Sequence, residues 1–161
     1  MTAACHEVLD GRAGLVTLWG SSGNGKSAAL IATLNEFLDR GYSGLYIPAY
    51  DLLNYLQDAF HSDEESVQDR LEKFKKVDLL AIDELQAVSA TGWRLEQIRN
   101  LIDFRWRKGL EGGVWTLVAM NEDPGELEPR IASRLRDGRN RLDGPPVIHN
   151  RDADLRPLLE R

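Results

Sequence analysis

Eight residues, Gly20-Ser21-Ser22-Gly23-Asn24-Gly25-Lys26-Ser27, match G-x-x-x-x-G-K-[ST] without a misfit. The pattern constrains the fold because it needs a β-strand before it and a helix after it. Its glycines let the backbone turn tightly and aim N–H groups at a β-phosphate. Lys26 carries positive charge to the β and γ phosphates, and Ser27 offers a hydroxyl to a magnesium ion. The helix that opens there adds its positive dipole end. The flanks comply. Leu15-Val16-Thr17-Leu18-Trp19 is a short apolar, β-prone run, and Ser27 to Leu38 places Ala28, Leu30, Ile31, Leu34, Phe37 and Leu38 at the spacing of a buried amphipathic helix. Gly41 reads as that helix's stop.

The 161 residues suit one domain with a full core, and 42% hydrophobic content suits a globular protein. No apolar run approaches the roughly 20 residues of a membrane helix, and the N-terminus lacks the basic start and apolar stretch of a signal peptide. Cys5 is the single cysteine, so no internal disulfide forms, which fits a reducing cytoplasm. Cys5 and His6 are adjacent but have no further ligands in sequence to complete a metal site. The net charge of −6 argues against a general coating of nucleic acid. The charge is uneven: residues 51–91 carry ten acids against four bases, and residues 130–141 carry five arginines against Asp137 alone. Fifteen of the twenty bases are arginine, which favours bidentate recognition of carboxylate or phosphate.

Strand patterns at 15–19, 44–48, 77–83, 114–120 and 146–149 alternate with helical patterns at 26–39, 50–60, 64–76, 93–108 and 129–137. The alternation predicts an α/β fold: a five-stranded parallel sheet sandwiched by helices, as in P-loop NTPases. Residues 1–149 form the expected core, and residues 150–161 a C-terminal tail.

Val77-Asp78-Leu79-Leu80-Ala81-Ile82-Asp83-Glu84 reads as a buried strand ending in two acids. Ligands of a parallel sheet sit beyond the carboxyl ends of its strands. Asp83 is therefore expected near the glycine-rich loop, where it can hold magnesium, with Glu84 orienting the attacking water. Thr116-Leu117-Val118-Ala119-Met120 ends at Asn121, whose amide can bond a γ-phosphate or the water, although asparagine at a strand end is also a common turn former. In Glu128-Pro129-Arg130-Ile131-Ala132-Ser133-Arg134-Leu135, Pro129 suits the first helical position. Ile131 and Leu135 then face the core, while Arg130 and Arg134 share another face. The pair suggests contact with a neighbouring subunit's phosphate, or else a surface bridge to Glu126 or Asp137.

These four elements in this order resemble an AAA+ ATPase: Walker A at Gly20–Ser27, Walker B at Leu79–Glu84, a sensor 1 asparagine at Asn121 and an arginine-finger motif at Arg130–Leu135. Finer stretches (Leu18-Trp19-Gly20, Asp51-Leu52-Leu53, Asp83-Glu84-Leu85 and Arg130–Leu135) are similar to the bacterial helicase-loader branch of DnaC and DnaI, with the transposon ATPase IstB as a relative. The resemblance covers about residues 13–149. It implies ATP and magnesium as ligands, with Lys26 and Ser27 on phosphate and metal, Asp83 on metal, Glu84 polarising water and Asn121 sensing the γ-phosphate. It further implies Arg134, then Arg130, as the finger supplied in trans. It implies a homo-oligomer, spiral or ring, on single-stranded DNA, working with a replicative helicase or a transposase. For DNA it points to Arg94, Arg99, Arg105, Arg107 and Lys108, with Trp93 and Trp106 available for stacking. Leu95, Ile98, Ile102 and Trp106, however, recur at core spacing. With the first strand starting by residue 15, the loaders' helicase-gripping N-terminal region is expected to be missing from this sequence. A C-terminal lid has little room, with Arg156 its sensor 2 candidate. A nucleotide-dependent switch with negligible turnover and a small-molecule kinase remain as other readings.

Overall fold

The computed structural model describes residues 2–87, 92–141 and 143–154. Five strands form one sheet: β1 (Leu15–Trp19), β2 (Gly44–Pro48), β3 (Leu79–Asp83), β4 (Trp115–Met120) and β5 (Val147–His149). Their order is β2-β3-β4-β1-β5, and every pairing is parallel. The helices are α1 (Thr2–Leu9), α2 (Lys26–Asp39), α3 (Ala49–Gln57), α4 (Val67–Lys76), α5 (Gly92–Glu111) and α6 (Pro129–Leu135). The parallel α/β architecture expected from sequence is what forms.

The strands are buried on both faces, and alternate residues divide between two cores. Leu15, Leu80, Ile82 and Val118 face α3, α4, α5 and α6. Val16, Leu18, Leu79, Ala81, Leu117 and Ala119 face α1 and α2.

Local chemistry sets the helix ends. Gly41 at φ 87 closes α2 with two bonds, Gly41 N–H to Leu38 O at 2.9 Å and Tyr42 N–H to Phe37 O at 3.2 Å. This is the Schellman arrangement that satisfies orphan carbonyls. The helix expected at 64–76 starts at Val67, because Ser66 and Asp69 form a reciprocal capping box. The expected 50–60 helix tightens into a 3₁₀ turn at Asp58–His61. Glu128 caps α6, accepting from the N–H groups of Arg130 and Ile131, and Pro129 occupies the first turn.

Helix α1 is absent from the sequence reading. It is short, with no acid in its first turn, but Ala4, Cys5 and Val8 are buried in the α2-side core. It is also tied down from a distance. Arg141 Nε and Nη2 donate to the two oxygens of Glu7 at 2.6 and 2.7 Å, and both side chains are nearly sealed from solvent. The hydrogen bonds from Arg141 outweigh burial and, with the charges of Arg141 and Arg12, hold the Glu7 carboxyl below its ordinary value. A carboxylate whose pKa is depressed by folding stabilises the fold fully above its unfolded pKa, and that contribution is lost as pH falls through the lower folded value. Glu7→Gln should therefore cost about 3 kcal/mol or more at neutral pH by leaving a buried guanidinium without its carboxylate. The gap between wild type and variant in urea midpoint should close as pH falls below the ordinary Glu value of 4.5. Parallel stability curves down to acid pH would contradict this role for Glu7.

Candidate functional site

Strand order brings the site together. β1 lies beside β4, and β4 beside β3, so the loop after β1, the end of β3 and the residue after β4 meet at one edge. A cavity of about 220 Å³ there is lined by Ser22 to Ala28, Asp83, Glu84 and Asn121. Of the residues proposed from sequence, Ser22, Gly23, Asn24, Gly25, Lys26, Ser27, Asp83, Glu84 and Asn121 thus share one pocket. Gly20 and Ser21 enter through their carbonyls. Lys26 Nζ donates to Gly20 O at 2.8 Å, Ser21 O at 2.7 Å and Asn24 Oδ1 at 2.9 Å. Burial lowers the Lys26 pKa, and the charge of Asp83 opposes the shift.

Gly25 caps α2 with a left-handed backbone, φ 88. The loop is also clamped to the exit of β5. Asn24 Nδ2 donates to Asn150 O at 2.9 Å, Asn150 Nδ2 donates to Asn24 O at 2.8 Å, and Asn150 N–H donates to Trp19 O at 2.7 Å. A Cβ on Gly20 would lie 2.1 Å from Asn150 O. Asn150 is thus a site residue that the sequence reading missed. No motif marks it, and only the β1–β5 pairing puts it beside Asn24.

Asp83 is buried and fixed at both oxygens. Tyr46 Oη donates to Oδ2 at 2.7 Å, and the Glu84 N–H donates to Oδ1 at 2.9 Å. Burial, then the bond to Asp83 and its charge, push the Tyr46 pKa up to about 12. Glu84 holds φ 53, the one non-glycine residue with positive φ among those described. Such backbone costs about 1–3 kcal/mol and concentrates at functional sites. The Asn121 N–H donates to Gln86 Oε1 at 3.2 Å.

The donors suit magnesium. The Ser27 hydroxyl and the Asp83 carboxylate are hard oxygen ligands on one pocket, and magnesium takes one or two such groups and completes its shell with phosphate and water. Among the described residues no cluster of three or more His, Cys, Asp or Glu could form an all-protein metal cage.

A second, mostly apolar cavity of about 400 Å³ adjoins the loop, sharing Asn24, Gly25 and Ala28 and walled by Cys5, His6, Leu9, Ala32, Thr33 and Asp152. Helix α1 supplies one wall of this cavity through Cys5, His6 and Leu9.

Arg130 and Arg134 do not line the phosphate pocket. Both bind Asp103 on α5, Arg134 Nε at 2.8 Å and Arg130 Nη2 at 3.3 Å, rather than Glu126 or Asp137. Burial opposes the charged carboxylate, but the bond from Arg134 and the charges of Arg130, Arg134 and Arg107 together lower the Asp103 pKa. Arg134 also stacks 3.9 Å from the Trp106 ring centroid.

Arg105 departs from the DNA-facing role suggested for it. It is fully buried, and its guanidinium donates to Thr116 Oγ1 and to the carbonyls of Phe74, Lys75, Val77, Asp78 and Trp115. Trp106 is core, as its spacing indicated. Trp93 instead meets Phe60, ring centroids 5.1 Å apart, and Phe60 is 58% exposed. Arg94 lies 5.5 Å from the ring centroid of Tyr50, itself 54% exposed. Arg156 lies outside the described residues, and no helix among those described is long and apolar enough to cross a membrane.

A parallel sheet in this order, with a phosphate loop leaving its β1 strand and acids ending the adjacent β3, is a P-loop NTPase domain of the AAA+ class. No protein-family model matches the chain. It is 30% identical over 132 residues to the replicative helicase loader DnaC of Escherichia coli (strain K12), covering 82% of this chain and 54% of that protein. It is 31% identical over 116 residues to the replicative helicase loader DnaI of Bacillus subtilis (strain 168), covering 69% of this chain and 34% of that one. The chain therefore spans about half the length of the first relative and a third of the second. The replication initiator DnaA bound to AMPPCP and single-stranded DNA superposes with a TM-score of 0.77 at 20% identity, over 94% of this chain and 45% of that one. The DnaC helicase loader crystal structure superposes at 0.67 and 17%, over 92% and 87%. The chain is an AAA+ domain homologous to the helicase loaders DnaC and DnaI.

Gly20→Ala should cost about 1–3 kcal/mol by forcing β1 and β5 apart, and binding of a fluorescent ATP analogue should fall sharply. Gly138→Ala, where a Cβ meets nothing within 4 Å, should change neither melting nor binding.

Proposed function

We propose that this protein binds and hydrolyses ATP with magnesium and assembles on single-stranded DNA to load or remodel a replicative helicase. The observation that carries the reading is the one pocket joining Lys26, Ser27, Asp83, Glu84 and Asn121. In this reading Lys26 and the loop amides hold the β and γ phosphates, and Ser27 and Asp83 hold the metal. Glu84 activates the water, and Asn121 reads the γ-phosphate. The adjoining apolar cavity suits the base and ribose.

Arg134, seconded by Arg130, is the finger given to a neighbouring subunit's nucleotide, because neither arginine lines its own pocket. A homo-oligomer follows from that need. The DnaA structural neighbour with nucleotide and single-stranded DNA, together with the exposed Phe60 and Tyr50 and the partly buried Trp93 and Arg94 beside them, supports a DNA-stacking surface. Homology to DnaC and DnaI supports a replicative helicase as the partner.

ATP hydrolysis measured across a protein dilution series should rise per subunit with protein concentration and with single-stranded DNA. Arg134→Ala should abolish turnover while leaving ATP binding largely intact. A wild type no faster than Glu84→Gln would leave only a nucleotide-dependent switch, and equal loss of binding and turnover in Arg134→Ala would refute the finger. Trp93→Ala and Phe60→Ala should each weaken single-stranded DNA binding by about 1–3 kcal/mol in fluorescence anisotropy. Unchanged anisotropy in both would remove the stacking surface.

A further inference from the structure

Tyr46 belongs to none of the motifs, yet its hydroxyl sits at the metal corner of the pocket. The β2–β3 register pairs Tyr46 with Ala81 and Pro48 with Asp83. Tyr46 is therefore a diagonal neighbour of Asp83 on the same sheet face, within reach of a long aromatic side chain. The ring packs against the α2-side core, so the hydroxyl is delivered from a fixed base. It donates to Asp83 Oδ2 at 2.7 Å while the Glu84 N–H takes Oδ1 at 2.9 Å. The phenol thus holds one of the two groups suited to the metal, directly at its carboxylate.

We propose that Tyr46 is a positioning residue for magnesium, its hydroxyl fixing the Asp83 carboxylate in the orientation that receives the ion. The inference rests on reading the pocket as a magnesium–ATP site. An ionised carboxylate has about four acceptor positions. Tyr46 and the Glu84 N–H occupy one on each oxygen, which stops the group rotating and leaves the remaining positions for the pocket. Magnesium demands near-ideal octahedral geometry, so freedom in a ligand's orientation weakens its binding. Hydrogen-bond partners of metal-ligating groups commonly matter by about 10–100-fold in metal affinity. A purely structural tyrosine would act through packing, which phenylalanine preserves.

The test is Tyr46→Phe, read by binding of a fluorescent ATP analogue during a magnesium titration and again in EDTA. Manganese electron paramagnetic resonance gives a second readout of the metal. The variant should need about tenfold or more magnesium to reach its half-point. Its binding in EDTA should follow the wild type, and its turnover should recover at high magnesium. An unchanged magnesium half-point overturns the inference, and so does a lower one, which would mean that the hydroxyl competes with the metal. Asp83→Asn run alongside separates the two levels. If it shifts the half-point and Tyr46→Phe does not, only the role of Tyr46 fails. If Asp83→Asn shifts nothing, the metal reading of the pocket fails, and the role of Tyr46 with it.

Discussion

A single buried guanidinium ties together the amino ends of the neighbouring strands β3 and β4. Arg105 gathers the carbonyls of Phe74 and Lys75 from the end of α4, Val77 and Asp78 from the approach to β3, and Trp115 and the Thr116 hydroxyl from β4. Hydrogen bonds to a charged group are stronger than neutral ones, and a buried charge is tolerated when its donors are matched. Arg105 matches them with backbone rather than with a carboxylate. Asp78 N–H and Oδ2, bonded to Ser43, carry the same junction on to the start of β2. Strands pinned at one end in a fixed parallel register arrive in register at the other, and that far end presents Asp83 and Asn121.

At the carboxyl end the constraints multiply. Asn24 and Asn150 lock the phosphate loop to β5, and Tyr46 locks the β3 carboxylate to β2. Lys26 spends its three donors on Gly20, Ser21 and Asn24. Loop carbonyls therefore hold the ammonium where a phosphate could take over its bonds, and the exchange replaces neutral acceptors with charged ones. Glu84 adds backbone strain in the same few ångströms. The surrounding sheet over-determines this residue: Asp83 accepts its N–H, and Leu85 directly after it is buried in the core.

Much of this was legible in the chain. The glycine-rich loop, the apolar strand ending in Asp83-Glu84 and the Pro129 helix start depend on local spacing, which sequence displays. Strand bounds at 15–19 and 44–48 agree with the structure for the same reason. What escaped depends on contacts between distant residues. Asn150 matters because β5 pairs with β1, 126 residues from Asn24, and Tyr46 because β2 flanks β3. Helix α1 forms because α2 and the Glu7–Arg141 pair hold it, and its own sequence has weak start signals. Arg105 misled because charge on a helix usually means solvent, and its partners are backbone carbonyls that no sequence pattern reveals. Helix α4 starts later than the apolar pattern alone indicates because the Ser66–Asp69 capping box fixes its first turn.

The arginine pair on α6 is held in place by charge and by an aromatic ring. Asp103 receives both Arg130 and Arg134, with Arg107 3.8 Å away. Three guanidiniums around one half-buried carboxylate leave the cluster positive. Trp106 supports Arg134 from beneath, and its Nε1–H donates to Asp137, which fixes the ring. In the proposed trans arrangement a neighbour's triphosphate meets a cation whose direction is already set, so little side-chain entropy is lost on engagement. Asp103 also supplies the counter-charge that lets two arginines, four residues apart on a short helix, coexist without a phosphate present. In that trans arrangement the same carboxylate would compete with the γ-phosphate, and its three cationic neighbours weaken its hold on any one of them.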